Sequence, residues 1–530
     1  MKLVVGGLVG CLVFSAALTA QPVVAQGGVL NAASFTRDGL PGDGLARGGM
    51  FVVFGSQMGP AALVQSQGIP LEAELAGVSI QVTVGGTTVS AFLLFASTGQ
   101  LAAVLPSNTP AGPGTLTVTF NGQTSAPVTI KVVDSAFGIF TRNQSGYGPS
   151  IVQNFISATE APLNALNQAA QPGQVVILWG AGLGPIEGSD AELPPVGSLP
   201  LDVEVIIGGT TIVRPFYAGR SPQFPGIDQI NFTLPVGIEG CFVSIAIRVN
   251  GVTSNYGMLS IAAAGRFCEN PFTAEQLMFA EQRGGLRVGS ATLVAGGGLE
   301  PELEAEAGDY SLAALTASTL TFVAIETHVT PIGTCTVWPA SDDFFPVDPI
   351  EPRELVGGDL TITTPAGVLV DPDEFPVGFF PPGPVTIQST AGPDVGAFEI
   401  SLTLPGPGTL DEPASPTAVD RSQGLRFVWS GVDSTTDFVL MLMRSVDQMQ
   451  GVGRNVVCSA DASAGEFMVP SHLLQTLPPS RDRPDVDDAA GVILVGSARK
   501  SAQGRYDVEG IDAGFFVPIQ LIEASEATFE

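Results

Sequence analysis

A duplicated stretch constrains this chain more than any other feature. RGGMFVVFGSQMGP, from Arg47 to Pro60, returns as QPGQVVILWGAGLGP, from Gln171 to Pro185. Gly55 and Gly180 lie 125 residues apart, as do Pro60 and Pro185, so the copies align there without a gap. Downstream, Gly85-Gly86-Thr87-Thr88 matches Gly208-Gly209-Thr210-Thr211, and Gln100 to Pro106 matches Gln229 to Pro235, at offsets of 123 and then 129. An internal repeat marks the structural unit, and the drifting offset assigns the length differences to loops. In each copy an Asn-Gly step, Asn121-Gly122 and Asn250-Gly251, separates two alternating apolar runs. That is the strongest short-range hairpin signal, so each copy is expected to end in a hairpin.

At 530 residues the chain is too long for one core, and length alone suggests about three to four domains. A hydrophobic content of 45% fills such cores, while 65 Gly and 42 Pro favour short strands joined by turns over long helices. The expected class is all-β. Runs such as Met50–Phe54, Val78–Val84 and Val128–Val133 in the first copy, and Val175–Trp179, Val203–Ile207 and Phe242–Val249 in the second, alternate as sandwich strands do. About seven strands in roughly 110 residues is the immunoglobulin-like pattern. The expected plan is a signal peptide over 1–25, sandwiches over 28–140 and 150–268, and β-rich domains over 284–405 and 425–530, the last packed with the one before it. A short helix behind Thr273 and another after Pro470 interrupt the strands, and the Pro405–Gly424 stretch reads as a linker.

The balance of 21 basic against 51 acidic residues gives net charge −30, which disfavours nucleic acid and anionic membrane as partners. Lys2 followed by the apolar run Leu3 to Leu18, with Val23-Val24-Ala25 beyond it, reads as a secretory signal cleaved after Ala25. Leu8-Val9-Gly10-Cys11 also fits a lipoprotein box, but the apolar run continues past Cys11. No later run of about 18 apolar residues follows, so export without a transmembrane segment is expected, to the cell surface, the extracellular space or the periplasm.

Beyond Cys11, four cysteines remain, an even number in a chain read as exported. Cys241 and Cys268 flank the closing hairpin of the second copy and are expected to pair. Cys335 and Cys458 are the remainder, as a second disulfide or as reduced thiols, and no Cys-x-x-Cys supports a metal site.

At this point the residues resemble a family: paired immunoglobulin-like modules, TIG-like in style, of exported proteins of acidobacterial type. The marks are Asn31-Ala32-Ala33-Ser34-Phe35, the turns Phe54-Gly55-Ser56 and Trp179-Gly180-Ala181-Gly182-Leu183-Gly184-Pro185, the step Thr98-Gly99-Gln100, and Gly240-Cys241 with a late Cys268. They cover roughly residues 28 to 270. One departure is Ser221 to Asp228, which replaces the small polar step expected before Gln229. The resemblance implies an exported β architecture and brings no activity or site with it.

Several patterns imitate sites. Gly180-Ala181-Gly182-Leu183-Gly184 follows a strand, but Pro185 prevents the immediate helix start that a phosphate-binding loop needs. Acidic loops, Asp371 with Asp373 and Glu374 foremost, are candidate Ca²⁺ ligands because that cation takes six to eight oxygens. Asp342, Asp343 and Asp348, and Asp482, Asp485, Asp487 and Asp488, form two further clusters. None makes an Asp-x-Asp-x-Asp-Gly loop, and all read equally as solvated charge. Three Trp and five Tyr give few sugar-stacking platforms for a carboxylate-pair glycosidase. No Gly-x-Ser-x-Gly elbow exists, and Ser471 beside His472 reads as a helix cap. Gln100 and Gln229 match each other within the chain and read as structural positions. The function expected is non-enzymatic: a structural, adhesion or ligand-binding role at the envelope or outside the cell, toward protein or polysaccharide, with no cofactor other than candidate calcium. The alternative is a carbohydrate-binding or carbohydrate-active protein using carboxylates of the C-terminal half.

Overall fold

The computed structural model describes residues 21–270, 272–297, 300–317, 331–340, 353–370, 375–414, 417–486, 489–500 and 504–530. The fold is all-β, with two tandem sandwiches followed by β-rich units that carry short helices. The first repeat contains β1 (Val23–Asn31), β2 (Leu45–Ala46), β3 (Met50–Ser56), β4 (Val78–Val84), β5 (Phe92–Ala96), β6 (Gln100–Val104), β7 (Gly112–Phe120) and β8 (Val128–Val133). One sheet runs β1-β3-β6-β5 and the other β2-β8-β7-β4 along their central paths. In immunoglobulin lettering these are A-B-E-D and A′-G-F-C, the constant-type arrangement. Strand β4 shows why it forms: its residues alternate buried and half-buried without a break, the period of a pleated strand with one face on the core. Val78, Ile80 and Val82 meet Phe51, Val53 and Leu116 between the sheets.

The second repeat returns the same plan with β9 (Gly138–Ile139), β10 (Gly148–Pro149), β11 (Val175–Ala181), β12 (Val203–Ile207), β13 (Tyr217–Arg220), β14 (Asp228–Thr233), β15 (Gly240–Val249) and β16 (Gly257–Ile261). Its sheets run β9-β11-β14-β13 and β10-β16-β15-β12. Even the register repeats: Phe54 faces Gln100 in the first copy, and Trp179 faces Gln229 in the second. Both Asn-Gly steps are hairpin turns with positive φ at both residues, the geometry that Asn and Gly accept at least cost. The matched Gly-Gly pairs at 85–86 and 208–209 make a second hairpin in each copy.

The copies differ in what covers them. Strand β7 alternates along its length, with Thr115, Thr117 and Thr119 on its outer face, whereas β15 is buried on both faces from Cys241 to Ile247. The outer side of β15 is covered by the C-terminal half, where Ile206, Ala246 and Tyr256 share a core with Cys335, Met441, Cys458 and Leu473.

Helix α1 (Ala274–Arg283) opens that half. Thr273 accepts from the Gln276 amide while the Gln276 side chain accepts from the Thr273 amide, and Gly284 ends the helix in the left-handed region. Such a box stabilises a helix by about 1 kcal/mol. Leu277 and Ala280 are buried against Phe272 and Phe515, and Phe279 faces outward.

A ten-stranded sheet follows. Its main path includes β17 (Gly285–Gly296), β18 (Glu302–Ser311), β19 (Cys335–Pro339), β24 (Asp437–Asp447), β25 (Val452–Asp461), β27 (Gly491–Arg499) and β29 (Ile511–Phe529) in the order β19-β25-β24-β27-β29-β17-β18. It takes strands from both C-terminal spans. A four-stranded sheet containing β20 (Leu360–Thr364), β21 (Gly383–Ser389) and β22 (Phe398–Leu404) packs on its β17–β18 end through Leu293, Ile387, Ile400 and Phe516. A three-stranded sheet carries β23 (Leu425–Ser430) and β26 (Glu466–Val469), and β28 (Gly504–Val508) pairs with β29. Helix α2 spans Leu312–Ala317 and α3 spans Ser471–Leu474. Ser471 does not cap α3, as had been expected: Pro470 holds the cap position without a side-chain bond, and Ser471 is the first helical residue. The strand-like run Thr319–Val329, with His328, lies outside the described residues. No helix among the described residues is long and apolar enough to cross a membrane.

The neighbouring His472 serves as a clasp. Its Nε2 lies 2.9 Å from the carbonyl of Gly209, in the Gly-Gly turn of the second repeat, so that nitrogen carries the proton and donates. Burial holds the His472 pKa below its ordinary value of 6.5, Arg248 adds to the depression, and the Gly209 carbonyl opposes both. Below the ordinary value an unfolded chain takes up a proton that the folded one resists, so stability falls as pH drops through that range. Thermal midpoints measured between about pH 8 and pH 5 should therefore decline in the wild type. His472→Gln, which keeps a donor for Gly209, should show a shallower decline.

Candidate functional site

The residues most heavily committed to one place lie between the two sandwiches. Arg220 ends β13 and Asp228 begins β14, directly opposite each other in the antiparallel pair. The loop between them is the Ser221 to Asp228 departure, closed by the Ser221 amide donating to the Ile227 carbonyl. Arg220 and Asp228 are 1% and 0% exposed, and Arg220 donates to Asp228 Oδ1. The other terminal nitrogen of Arg220 donates to two carbonyls at 2.6 Å, Gly48 in the first repeat and Gly184 in the second. Asp228 Oδ2 accepts from the Leu183 amide at 2.7 Å. Burial pushes the Asp228 carboxyl up, while Arg220 and the Leu183 amide pull it down.

The first repeat lacks this pair, because Gly99 stands where the second has Asp228. There, the Thr98 carbonyl accepts from the Met58 amide, in the role that the carboxylate takes toward Leu183. The pair is an addition made in the longer copy.

Around it the joint is tied twice more. Asp190, 4% exposed, accepts from the Ser107 amide at 2.6 Å and the Ser107 hydroxyl at 2.9 Å, and the Ile186 amide donates to that hydroxyl. Asn31 donates to the Ala136 and Ala181 carbonyls and accepts from the amides of Ala33 and Ser34. Gly48 has φ +68°, and a Cβ there would lie 2.5 Å from both Arg220 Nη2 and the Ser107 hydroxyl. Only glycine fits.

Two disulfides fix the neighbouring structure, Cys241–Cys268 and Cys335–Cys458. The second joins facing residues of β19 and β25. The Cys335 amide donates to Gly208 O at 2.8 Å and its carbonyl accepts from the Ser244 hydroxyl, so the bridge sits where the second sandwich meets the large sheet.

The other expected positions fall elsewhere. Asp371, Asp373 and Glu374 lie outside the described residues, as do Asp342, Asp343, Asp348, Asp487 and Asp488. Asp482 accepts from the Ala490 amide and Asp485 pairs with Arg483. Among the described residues no group of three or more His, Cys, Asp or Glu could hold a metal ion. Ala25 is an exposed residue within β1. The glycine-rich turn after β11 has its Leu183 amide and Gly184 carbonyl bonded to Asp228 and Arg220. Sequence reading flagged the loop after Arg220 as a departure and missed the joint. The usable signal was an insertion flanked by opposite charges.

With its charges paired inside the protein, the joint has the chemistry of a clamp. Fold and joint together define a tandem immunoglobulin-like β-sandwich protein. No family model matches the chain, and no curated protein matches it. Among solved structures it is similar to Gamma-CGTASE from alkalophilic Bacillus clarkii, with 11% identity and TM-score 0.14, over 47% of this chain and 27% of that one. It is also similar to SGBP-B from a xyloglucan utilization locus of Bacteroides uniformis, with 10% identity and TM-score 0.17, over 92% and 97%. The surface layer protein SbsC, domains 4–9, gives 11% identity and TM-score 0.17, over 96% and 66%. The chain thus spans about a quarter of the first of these. At such scores the likenesses carry no weight, and the sandwich assignment rests on strand order.

Proposed function

We propose that this chain is an exported, non-catalytic scaffold that holds β-sandwich modules at fixed angles and presents their surfaces to protein or polysaccharide at the envelope or outside the cell. The observation that carries this reading is the joint, where a fully buried Arg220–Asp228 pair grips the first repeat through the Gly48 carbonyl. Modules that swing freely are joined by exposed, flexible linkers with few contacts; these are welded. The two disulfides support an oxidising destination. Cleavage after Ala25 and bound calcium at Asp371, Asp373 and Glu374 belong to the same proposal.

The test is fractionation of cells producing the full chain, followed by incubation of the purified protein with envelope polysaccharides. Recovery outside the cytoplasm with both disulfides formed, and binding to an envelope component without release of sugar fragments, is the expected result. Cytoplasmic recovery with free thiols, or fragment release, overturns it. A melting midpoint unchanged by chelator removes calcium from the account.

A further inference from the structure

The C-terminal half contains a cavity of about 250 Å³ between the β17–β18 end of the large sheet and the four-stranded sheet. Small residues on one face of the large sheet create it. Along β17 and its neighbours, Gly289 pairs with Ala307 and Gly514, and Ala291 with Ala305 and Phe516, so five glycine or alanine positions and one ring share that face. Opposite stand Ile387 and Ile400, cross-strand partners in the smaller sheet. Two sheets packed face to face lie about 10 Å apart and fill the gap with side chains. Here Gly289, Ala291, Ala305 and Ala307 contribute almost none on one side, and space remains between them and the rings of Tyr506 and Phe516.

One wall is aromatic. Tyr506 lies across the glycines, where a Cβ on Gly289 would meet its hydroxyl at 2.7 Å and one on Gly514 would meet its ring at 2.6 Å. Its ring stacks on Phe398 with centroids 5.3 Å apart and planes 25° from parallel. Burial pushes the pKa of the Tyr506 hydroxyl up to about 12, so it stays a neutral donor at physiological pH. Ala305, Glu306 and Gly357 are exposed members of the lining and mark the mouth.

The geometry points to a binding site for one small, neutral, planar molecule of about two fused rings that lies along the Phe398–Tyr506 wall and accepts a hydrogen bond from the Tyr506 hydroxyl. Size sets the ring count: an apolar cavity of about 150 Å³ takes benzene, and this one holds roughly one ring more. Lining chemistry sets the polarity, since the wall is mostly apolar with the Tyr506 hydroxyl beside Ser290, Ser389 and Glu306, and a mostly apolar pocket with a few placed polar groups is the usual small-ligand site. The net charge of −30 disfavours an anion. This inference does not depend on the scaffold reading, because a scaffold and a small-molecule carrier are equally served by the fold.

Calorimetric titration of the full chain with coumarin, which carries a carbonyl acceptor, and with naphthalene, which does not, tests it. Coumarin should bind one to one and about fivefold more tightly than naphthalene, the worth of one hydrogen bond. Tyr506→Phe keeps the stack and should reduce coumarin to the naphthalene level while leaving naphthalene unchanged. Ala305→Phe, a change at the exposed mouth, should abolish binding of both with the thermal midpoint preserved. Absence of saturable binding by either probe to the wild type overturns the proposal, as does coumarin binding that neither variant weakens.

Discussion

Replacing Cys335 and Cys458 together with alanine is expected to lower the unfolding free energy of the large sheet by about 5 kcal/mol. The bridge closes a loop of 123 residues, and loop-closure entropy removed from the unfolded chain grows with the logarithm of loop length. Cys241 and Cys268 are separated by only 27 residues, so their double alanine variant should lose about 3.5 kcal/mol on the same model. Packing adds to the contrast, because both Cys335 and Cys458 are fully buried in the core shared with Ile206 and Ala246 of the second sandwich. Loss of the longer bridge should therefore also loosen the Gly208–Gly209 turn, whose carbonyls bind Cys335 and His472. Urea unfolding followed by amide hydrogen exchange measures both effects in one experiment. If the 27-residue bridge proves the more costly to remove, loop entropy is not what these disulfides supply.

Much of the fold was legible because its signals are local. The Asn-Gly turns, the matched Gly-Gly turns and the period-two alternation of Val78–Val84 each depend on a few adjacent residues. The copy-to-copy offsets then carried one sandwich onto the other down to the pairing of Gln100 and Gln229. What stayed hidden depends on distant partners. Val288 lies beside Ala513 in a parallel pair, and nothing near either residue specifies the other. Arg287–Val294 and Phe515–Ile522 could be expected as strands while their union in one ten-stranded sheet could not. A clearer hint lay in β15, where GCFVSIAIRV loses the alternation that GPGTLTVTF keeps in β7. A strand apolar or small on both faces is covered on both. The joint was hidden for a different reason. Arg220 and Asp228 read as loop charges because charged residues are seldom buried, and only the fold shows that each is there for the other.

Arg220→Ala should be the most damaging single substitution at the joint, costing about 3–5 kcal/mol because it strands a buried carboxylate. Asp228 would keep the Leu183 amide and lose its only countercharge among the described residues. The carbonyls of Gly48 and Gly184 would lose a charged donor in the same step. An exposed pair in the same sandwich provides the control: Arg214 and Asp202 have side chains 59% and 64% exposed, and Arg214→Ala should leave the unfolding midpoint nearly unchanged. A paired change, Arg220→Met with Asp228→Leu, separates charge burial from geometry. Apolar replacement of a buried ion pair is often neutral, so the double variant should recover most of the stability lost by Arg220→Ala. It cannot restore the bond to Gly48, one of the contacts by which the second sandwich holds the first. Denaturant titration should therefore show recovery while small-angle scattering shows a joint still looser than in the wild type. A double variant with both stability and the wild-type scattering profile would mean that the Asp190–Ser107 and Asn31–Ala181 ties, and not the Arg220–Gly48 bond, set the angle between the modules.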